Sequence, residues 1–299
     1  MAPSHLTLGP LYYHWPAEKR RDFYFRIADE APVDVVYVGE VVCSKREPFF
    51  DPYQDQVIER LEKAGKQVVL SSLALLTTPR ELTELQKKAQ GAHLIEANDV
   101  SAVQTLSGKP FIVGPMINVM NEGTLAAMAA RGAIRVVFAS ELSGKSIGLL
   151  AAAQQKIETE VQVFGRQPLA ISMRCYHARA HGRDKDHCRY ACELDPDGMS
   201  ADTIVGQPIL TINGTQTLTR GYVVLLDEMR EMAKAGVTHF RLAPQDMDMV
   251  KVAQLYRGFL DGRFESDAVR SELKSLTESV SLINGFYHGK EGKTFVSNG

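Results

Sequence analysis

Short apolar runs rich in valine and isoleucine alternate with helical patterns through the first half of the chain. Val35-Val36-Tyr37-Val38 is followed by a helical segment from Pro52 to Ala64, which stops at Gly65. Gln67-Val68-Val69-Leu70 comes next, and then a helix opened by Thr78-Pro79-Arg80-Glu81. That tetrapeptide combines a capping threonine, a proline at the first helical position and a glutamate three residues after the cap. His93-Leu94-Ile95-Glu96, Phe111-Ile112-Val113 and Val136-Val137-Phe138 continue the series, each followed by a helical pattern. Continuous apolar runs are the mark of strands buried on both faces, and their alternation with helices predicts a parallel sheet.

Leu6-Thr7-Leu8 supplies a first strand, Val161-Gln162-Val163-Phe164 a seventh, and His239-Phe240-Arg241-Leu242 an eighth, preceded by a helix ending at Gly236. Eight such runs predict a closed, TIM-like (β/α) barrel, and no G-x-G-x-x-G follows the first strand to favour an open sheet. The regularity breaks between about residues 165 and 226. Leu169–Met173 reads as a strand leading into Arg174-Cys175, and a polar, turn-rich excursion follows with His177, His181, His187, Cys188 and Cys192. Ile209–Gly214 then reads as another strand, turning into a hairpin with Gln216-Thr217-Leu218. The expected architecture is one α/β domain over residues 1–299, an irregular barrel with a cysteine-bearing insertion over one face.

Composition narrows the function classes. Apolar residues make up 44% and charged residues 23%, as in ordinary globular proteins, and the net charge of -2 gives no basic excess to hold a nucleic-acid backbone. No run approaches the ~18 apolar residues of a membrane helix. The opening Met1–Pro10 carries neither a basic nor an apolar leader region. A cytoplasmic location is expected, where thiols stay reduced.

That expectation gives the four cysteines their interest: Cys43, and then Cys175, Cys188 and Cys192 within eighteen positions. A chain of this size buries enough core to fold without disulfides, so clustered cysteines point to metal chemistry. Cys43 lies a few residues after the Val35–Val38 run and Cys175 directly after Leu169–Met173. Loops that follow strands share one face of a (β/α) barrel, so these distant residues can meet. If 188–192 is helical, Cys188 and Cys192 fall at i and i+4 on one face. A structural zinc ion and an iron–sulfur cluster both remain open at this point. Zinc usually arrives on paired C-x2–4-C knuckles, and here there is one such pair. The nearby histidines would also allow a mixed Cys/His zinc site, although His181 and His187 sit among charged residues and read as solvated.

Other catalytic templates are missing: there is no G-x-S-x-G, H-E-x-x-H or G-x-x-x-x-G-K-[ST]. Polar residues at inferred strand ends are the remaining candidates, namely Glu40, Asn118, Glu141, Arg174 and Arg241. Each reads equally well as a loop cap or a barrel salt bridge.

Several segments carry a resemblance. They are Leu8–Pro16, Val36–Arg46, Gly65–Ser71, Ala139–Ser143, Arg174–Arg179 and Leu210–Thr217. In order and over essentially the whole chain they resemble the ubiquinone-biosynthesis members of the U32 peptidase-like family, most specifically around the cysteines. The resemblance implies a TIM-like barrel and a [4Fe-4S] cluster on Cys43, Cys175, Cys188 and Cys192. It implies a heterodimer with a UbiU-like sister protein, assisted by a UbiT-like lipid-binding accessory protein. The implied activity is oxygen-independent hydroxylation of the aromatic ring of ubiquinone precursors, with a prephenate-like oxygen donor. No protease nucleophile or zinc motif accompanies the peptidase label. A dicarboxylate donor would suit bidentate arginines, and Arg174 and Arg241 are the first expected contacts. Two other expectations stand beside this one: a non-catalytic cluster-bearing subunit, and a U32-type RNA hydroxylase, against which the near-neutral charge counts.

Overall fold

The structure, a computed structural model, describes residues 4–153, 156–277 and 280–297. The first half runs β1 (His5–Leu8), α1 (Ala17–Glu30), β2 (Val35–Gly39), α2 (Glu47–Lys63), β3 (Gln67–Ser71), α3 (Pro79–Lys88), β4 (Leu94–Ala97), α4 (Val100–Leu106), β5 (Phe111–Val113), α5 (Glu122–Ala130), β6 (Ala133–Val137), α6 (Gly144–Ala153) and β7 (Glu158–Gly165). An excursion follows, made of β8 (Pro168–Ile171), α7 (Tyr176–Ala180), β9 (Met199–Asp202), β10 (Pro208–Asn213), β11 (Gln216–Thr219) and β12 (Tyr222–Val224). The chain closes with α8 (Leu226–Ala235), β13 (His239–Leu242), α9 (Met249–Leu260), α10 (Ser266–Leu276) and β14 (Leu282–Ile283).

Strands β1 to β7 pair in parallel in sequence order, and β13 pairs in parallel with both β1 and β7, closing an eight-stranded barrel. These are the eight runs read from the sequence. Helix α3 starts where the capping motif places it, with Thr78 Oγ1 accepting from the Glu81 N–H and Glu81 accepting from the Thr78 N–H. Helix α2 corrects the reading of its start: it opens at Glu47, with Pro48 in the first turn and Pro52 inside the helix. The first turn has no intrahelical use for proline's missing N–H, so Pro48 marks the true start, and Pro52 leaves one internal bond unmade.

β6 and β7 begin earlier than their apolar runs because charged residues face into the barrel. Glu160 is buried and accepts from Thr7 Oγ1 at 2.7 Å, Tyr37 Oη at 2.6 Å and Arg241 Nε at 2.7 Å. Arg241 Nη2 also lies 2.7 Å from Glu96 Oε1, at ion-pair distance but off the hydrogen-bonding line, and its guanidinium stacks on the Tyr37 ring. Glu96 Oε2 accepts from Ser71 Oγ at 2.8 Å and Asn98 Nδ2 at 3.1 Å. Arg135 continues the column towards the opposite end through Glu158 and Tyr37. The barrel is thus filled partly by its own ion pairs and partly by a small apolar cluster of Val35, Tyr37, Val69, Ile112 and Val137, and the larger apolar core lies under the helices.

Between β7 and α8 the chain builds a second, antiparallel sheet of order β8-β11-β10-β9, while β12 returns antiparallel to β7. The hairpin read from Ile209–Leu218 is β10–β11, with Asn213 opposite Gln216. Its turn requires Gly214: φ is +62°, and a Cβ there would meet Arg46 Nη2 at 2.6 Å. The excursion is tied to the loops after β1 and β2. Arg46 donates to the Tyr12 carbonyl and to Asn213 Oδ1, Thr215 Oγ1 to the Val42 carbonyl, and the Trp15 indole to the Pro196 carbonyl.

Candidate metal centre

The loop after β2 is shaped by Glu40. Its Oε1 accepts the backbone N–H groups of Val42 at 2.9 Å and Cys43 at 3.0 Å, and the buried guanidinium groups of Arg20 and Arg46 flank it at 3.7 and 3.8 Å. Cys43 follows in extended conformation and precedes a single 3-10 turn, Ser44–Arg46. Cys175 caps α7, its Sγ accepting from the Ala178 N–H at 3.4 Å. Glu40 therefore acts behind Cys43 as a loop-shaping carboxylate.

The helical reading of 188–192 is corrected. Arg189 (φ +48°) and Tyr190 (φ +52°) are both left-handed, and only then does a short 3-10 helix, Ala191–Leu194, begin. Two successive bulky residues in this region are costly, so the turn must be held from outside. The Tyr190 ring packs edge-on against Phe49 at 4.7 Å and near His14 at 5.7 Å, which supplies that hold. The bend, and not a helix face, brings Cys188 and Cys192 together.

All four cysteines line one cavity, together with Lys45, Arg46, Lys185, Tyr190 and Thr215. All four are free of disulfides. Burial pushes the Cys43 and Cys192 thiols up, and the nearby Arg46 guanidinium opposes that rise at both. Arg46 is the residue that the sequence reading passed over. Its signal was adjacency, three positions after Cys43 in a run that also contributes Lys45.

None of the three histidines lines this cavity. His181 and His187 are exposed, the latter beside Asp184. His177 is buried; the Gly214 N–H donates weakly to its Nδ1, so Nε2 carries the proton and donates to Asp195 at 2.7 Å. This bond ties α7, which starts after Cys175, to the segment just after Cys192.

The other sequence candidates are spread out. Arg174 is exposed beside Cys175, its backbone N–H donating to Ser172 Oγ. Arg241 lies in the barrel interior, held by Glu160 and Glu96. Asn118 is exposed, with φ +56°, and ends the short 3-10 turn after β5, while Glu141 is exposed in the turn after β6. The structure brings neither of them, nor Arg241, to the cysteine cavity.

A closed (β/α) barrel whose added sheet and post-strand loops gather four cysteines is the class of molecule these features define. The model for peptidase family U32 matches residues 22–297, and the chain belongs to that family. Among solved structures the chain is similar to a phospho-2-dehydro-3-deoxyheptonate aldolase from Thermotoga maritima, at 11% identity over 93% of this chain and 72% of that one, with a TM-score of 0.41. It is similar to a tryptophan synthase alpha-subunit from Pyrococcus furiosus, at 10% identity over 93% and 99%, TM-score 0.40. A dihydropteroate synthase from Xanthomonas albilineans shows 13% identity over 91% and 93%, TM-score 0.40. At these identities and scores the likeness carries nothing about chemistry. Among the described residues no helix is long and apolar enough to cross a membrane.

Proposed function

We propose that this chain is the UbiV-type, cluster-bearing subunit of an oxygen-independent hydroxylase acting on the aromatic ring of ubiquinone precursors. The observation that carries the reading is the convergence of Cys43, Cys175, Cys188 and Cys192, from three separate segments, on one cavity. The donor chemistry supports a [4Fe-4S] cluster over zinc. A tetrahedral zinc ion, about 2.3 Å from each sulfur, draws its four ligands to about 3.8 Å of one another. Among the described residues, the metal-ligating atoms grouped within 4.8 Å are those of His177, His181 and Asp195, and not the cysteine sulfurs. A cuboidal cluster takes each thiolate on a different iron and so suits the wider spacing.

When bound, such a cluster supplies the redox capacity that protein side chains lack. The residues have separate tasks. Glu40 fixes the Cys43 loop through two backbone N–H groups, and His177 with Asp195 joins the Cys175 helix to the Cys192 segment. Arg46 sets a permanent positive charge against thiolates that burial would otherwise disfavour. Under this reading the chain pairs with a UbiU-like sister, works with a UbiT-like lipid-binding protein and draws oxygen from a prephenate-like donor. A second reading, a cluster-holding subunit whose partner supplies the substrate pocket, is favoured by one feature: buried Tyr12 lies beside the Arg241, Glu96 and Glu160 ion pairs that fill the barrel.

The test is genetic and chemical together. A strain whose only copy carries Cys175→Ala should make ubiquinone in air and lose it under strict anaerobiosis. Normal anaerobic ubiquinone in that strain would refute the hydroxylase reading.

A further inference from the structure

Outside the cysteine cavity a second set of ligating side chains comes together. His177 lies on α7 and His181 caps its C-terminal end, one helical turn later, so both side chains leave the same face. Their rings stand parallel, 7° apart, with centroids at 5.7 Å. Asp195 follows the 3-10 helix that carries Cys192 and brings a carboxylate oxygen to 2.7 Å from His177 Nε2. One ligating atom from each of the three residues lies within 4.8 Å of the other two. His177 is buried, Asp195 half-buried and His181 exposed, so the group is fixed at its inner end and open to solvent at its outer one.

The donor chemistry is that of a cation site. Among the described residues Asp195 is paired with His177 and with no lysine or arginine. Two imidazoles and a carboxylate offer two nitrogens and an oxygen, a set that suits divalent ions of borderline softness such as zinc, and three protein ligands leave a position for water. Bonds of about 2.0–2.2 Å place such ligand atoms roughly 3.3 Å apart. His177 and Asp195 are already closer than that, and His181, at the surface, can rotate to close the remainder. We infer that His177, His181 and Asp195 form an exchangeable site for a divalent first-row transition ion, separate from the cysteine site. The ion takes the Nε2 lone pair of His177, and the proton held there moves to Nδ1 at the expense of the weak contact with the Gly214 N–H. A metal clip thus replaces the hydrogen bond between α7, which starts after Cys175, and the segment just after Cys192. With three ligands, one of them exposed, the ion exchanges readily with the medium, so the site fills from added metal and not from metal carried through purification.

Calorimetric titration of the anaerobically purified full chain with zinc chloride tests it, with iron content and visible spectrum recorded on the same samples and X-ray absorption at the zinc edge on the titrated ones. Zinc should bind through nitrogen and oxygen neighbours at about 2.0–2.2 Å, distinct from the sulfur neighbours at about 2.3 Å that the cysteines would give. His181→Ala removes an exposed ligand, and Asp195→Asn keeps an acceptor for His177 while removing the charge. Each should weaken binding at least about tenfold, since even the outer partners of metal ligands are worth that much, and leave the visible spectrum unchanged. Absence of zinc uptake, uptake equal in wild type and His181→Ala, or sulfur neighbours alone would overturn the site and leave the cluster reading standing. Iron-free protein that still binds zinc through nitrogen and oxygen, and loses it in His181→Ala, does the reverse.

Discussion

Inside the barrel, Glu160 meets Thr7, Tyr37 and Arg241, each within hydrogen-bonding distance, so that a buried carboxylate is supported from three strands. In the cysteine cavity four thiols converge with the single buried cation Arg46 and with Lys45 and Lys185 at the rim. Both regions bury polar groups, yet in the barrel the opposite charges are matched within the chain, although Glu96 Oε1 and the two terminal nitrogens of Arg241 lack hydrogen bonds, whereas under the proposed function the four thiols are the ligands of a bound group. A self-paired ion column fixes a fold, and an incomplete donor set marks a site. Arg241 was expected to bind substrate because it lies near a strand end. Its carboxylate partners instead place it in the first region.

The largest effect expected from this contrast falls on the cavity. Cys→Ala at any of the four positions should abolish the brown colour of anaerobically purified protein while leaving far-ultraviolet circular dichroism intact. Retained colour in two or more of the variants would show that the four do not act as one ligand set.

In the barrel the expected effect is on stability. Glu160→Gln removes a shared carboxylate from the buried pairs with Arg241 and Arg135, leaving only Glu96 and Glu158 to balance them, and should cost about 3–5 kcal/mol in denaturant unfolding. The visible spectrum of the folded fraction should stay unchanged. A loss under about 1 kcal/mol would contradict the role of the ion column.

Acid should destabilise the fold in two stages, first at the buried histidines and then at Glu160. Burial, with Arg46 and Arg20 adding to it, lowers His14 from 6.5 to about 4, and burial likewise lowers His239 to about 4 against the pull of Glu160. Below pH 6.5 the unfolded chain therefore takes up protons that the folded chain refuses, so stability is full above that value and falls as pH drops towards 4. Burial alone would raise Glu160, but Arg241 and Arg135 overcome it and hold the carboxyl at about 2. Its contribution is present above the ordinary 4.5 and is lost between there and pH 2. Urea midpoints measured from pH 7.5 to 4 should fall steadily in wild type, and His239→Gln should flatten the curve. A flat wild-type profile would contradict the assignment.

The smallest effect is expected at Arg174, which is exposed. Arg174→Gln should shift stability by less than about 0.5 kcal/mol.

How much of this was legible in the chain depended on which physical signal each feature left. The eight strands were readable because double-sided burial writes continuous apolar runs, and α3 because its cap is a local chemical motif. The starts of β6 and β7 were hidden, since Arg135, Glu158 and Glu160 look like loop residues until Tyr37 and Arg241 are placed opposite them. Three of the four cysteines were legible from their crowding, and Cys43 from its place after a strand. The turn that unites Cys188 with Cys192 was not, because nothing local in Arg189-Tyr190 announces a left-handed backbone; Phe49 and His14, far away in sequence, impose it. Arg46 was missed for the same reason, as its partners Tyr12 and Asn213 come from opposite ends of the chain.

The most direct test of the central claim is the metal content of wild-type protein purified without oxygen. About four iron and four acid-labile sulfide per chain, with no stoichiometric zinc, is the result expected for one cuboidal cluster on Cys43, Cys175, Cys188 and Cys192. One zinc per chain, colourless and without sulfide, would contradict it.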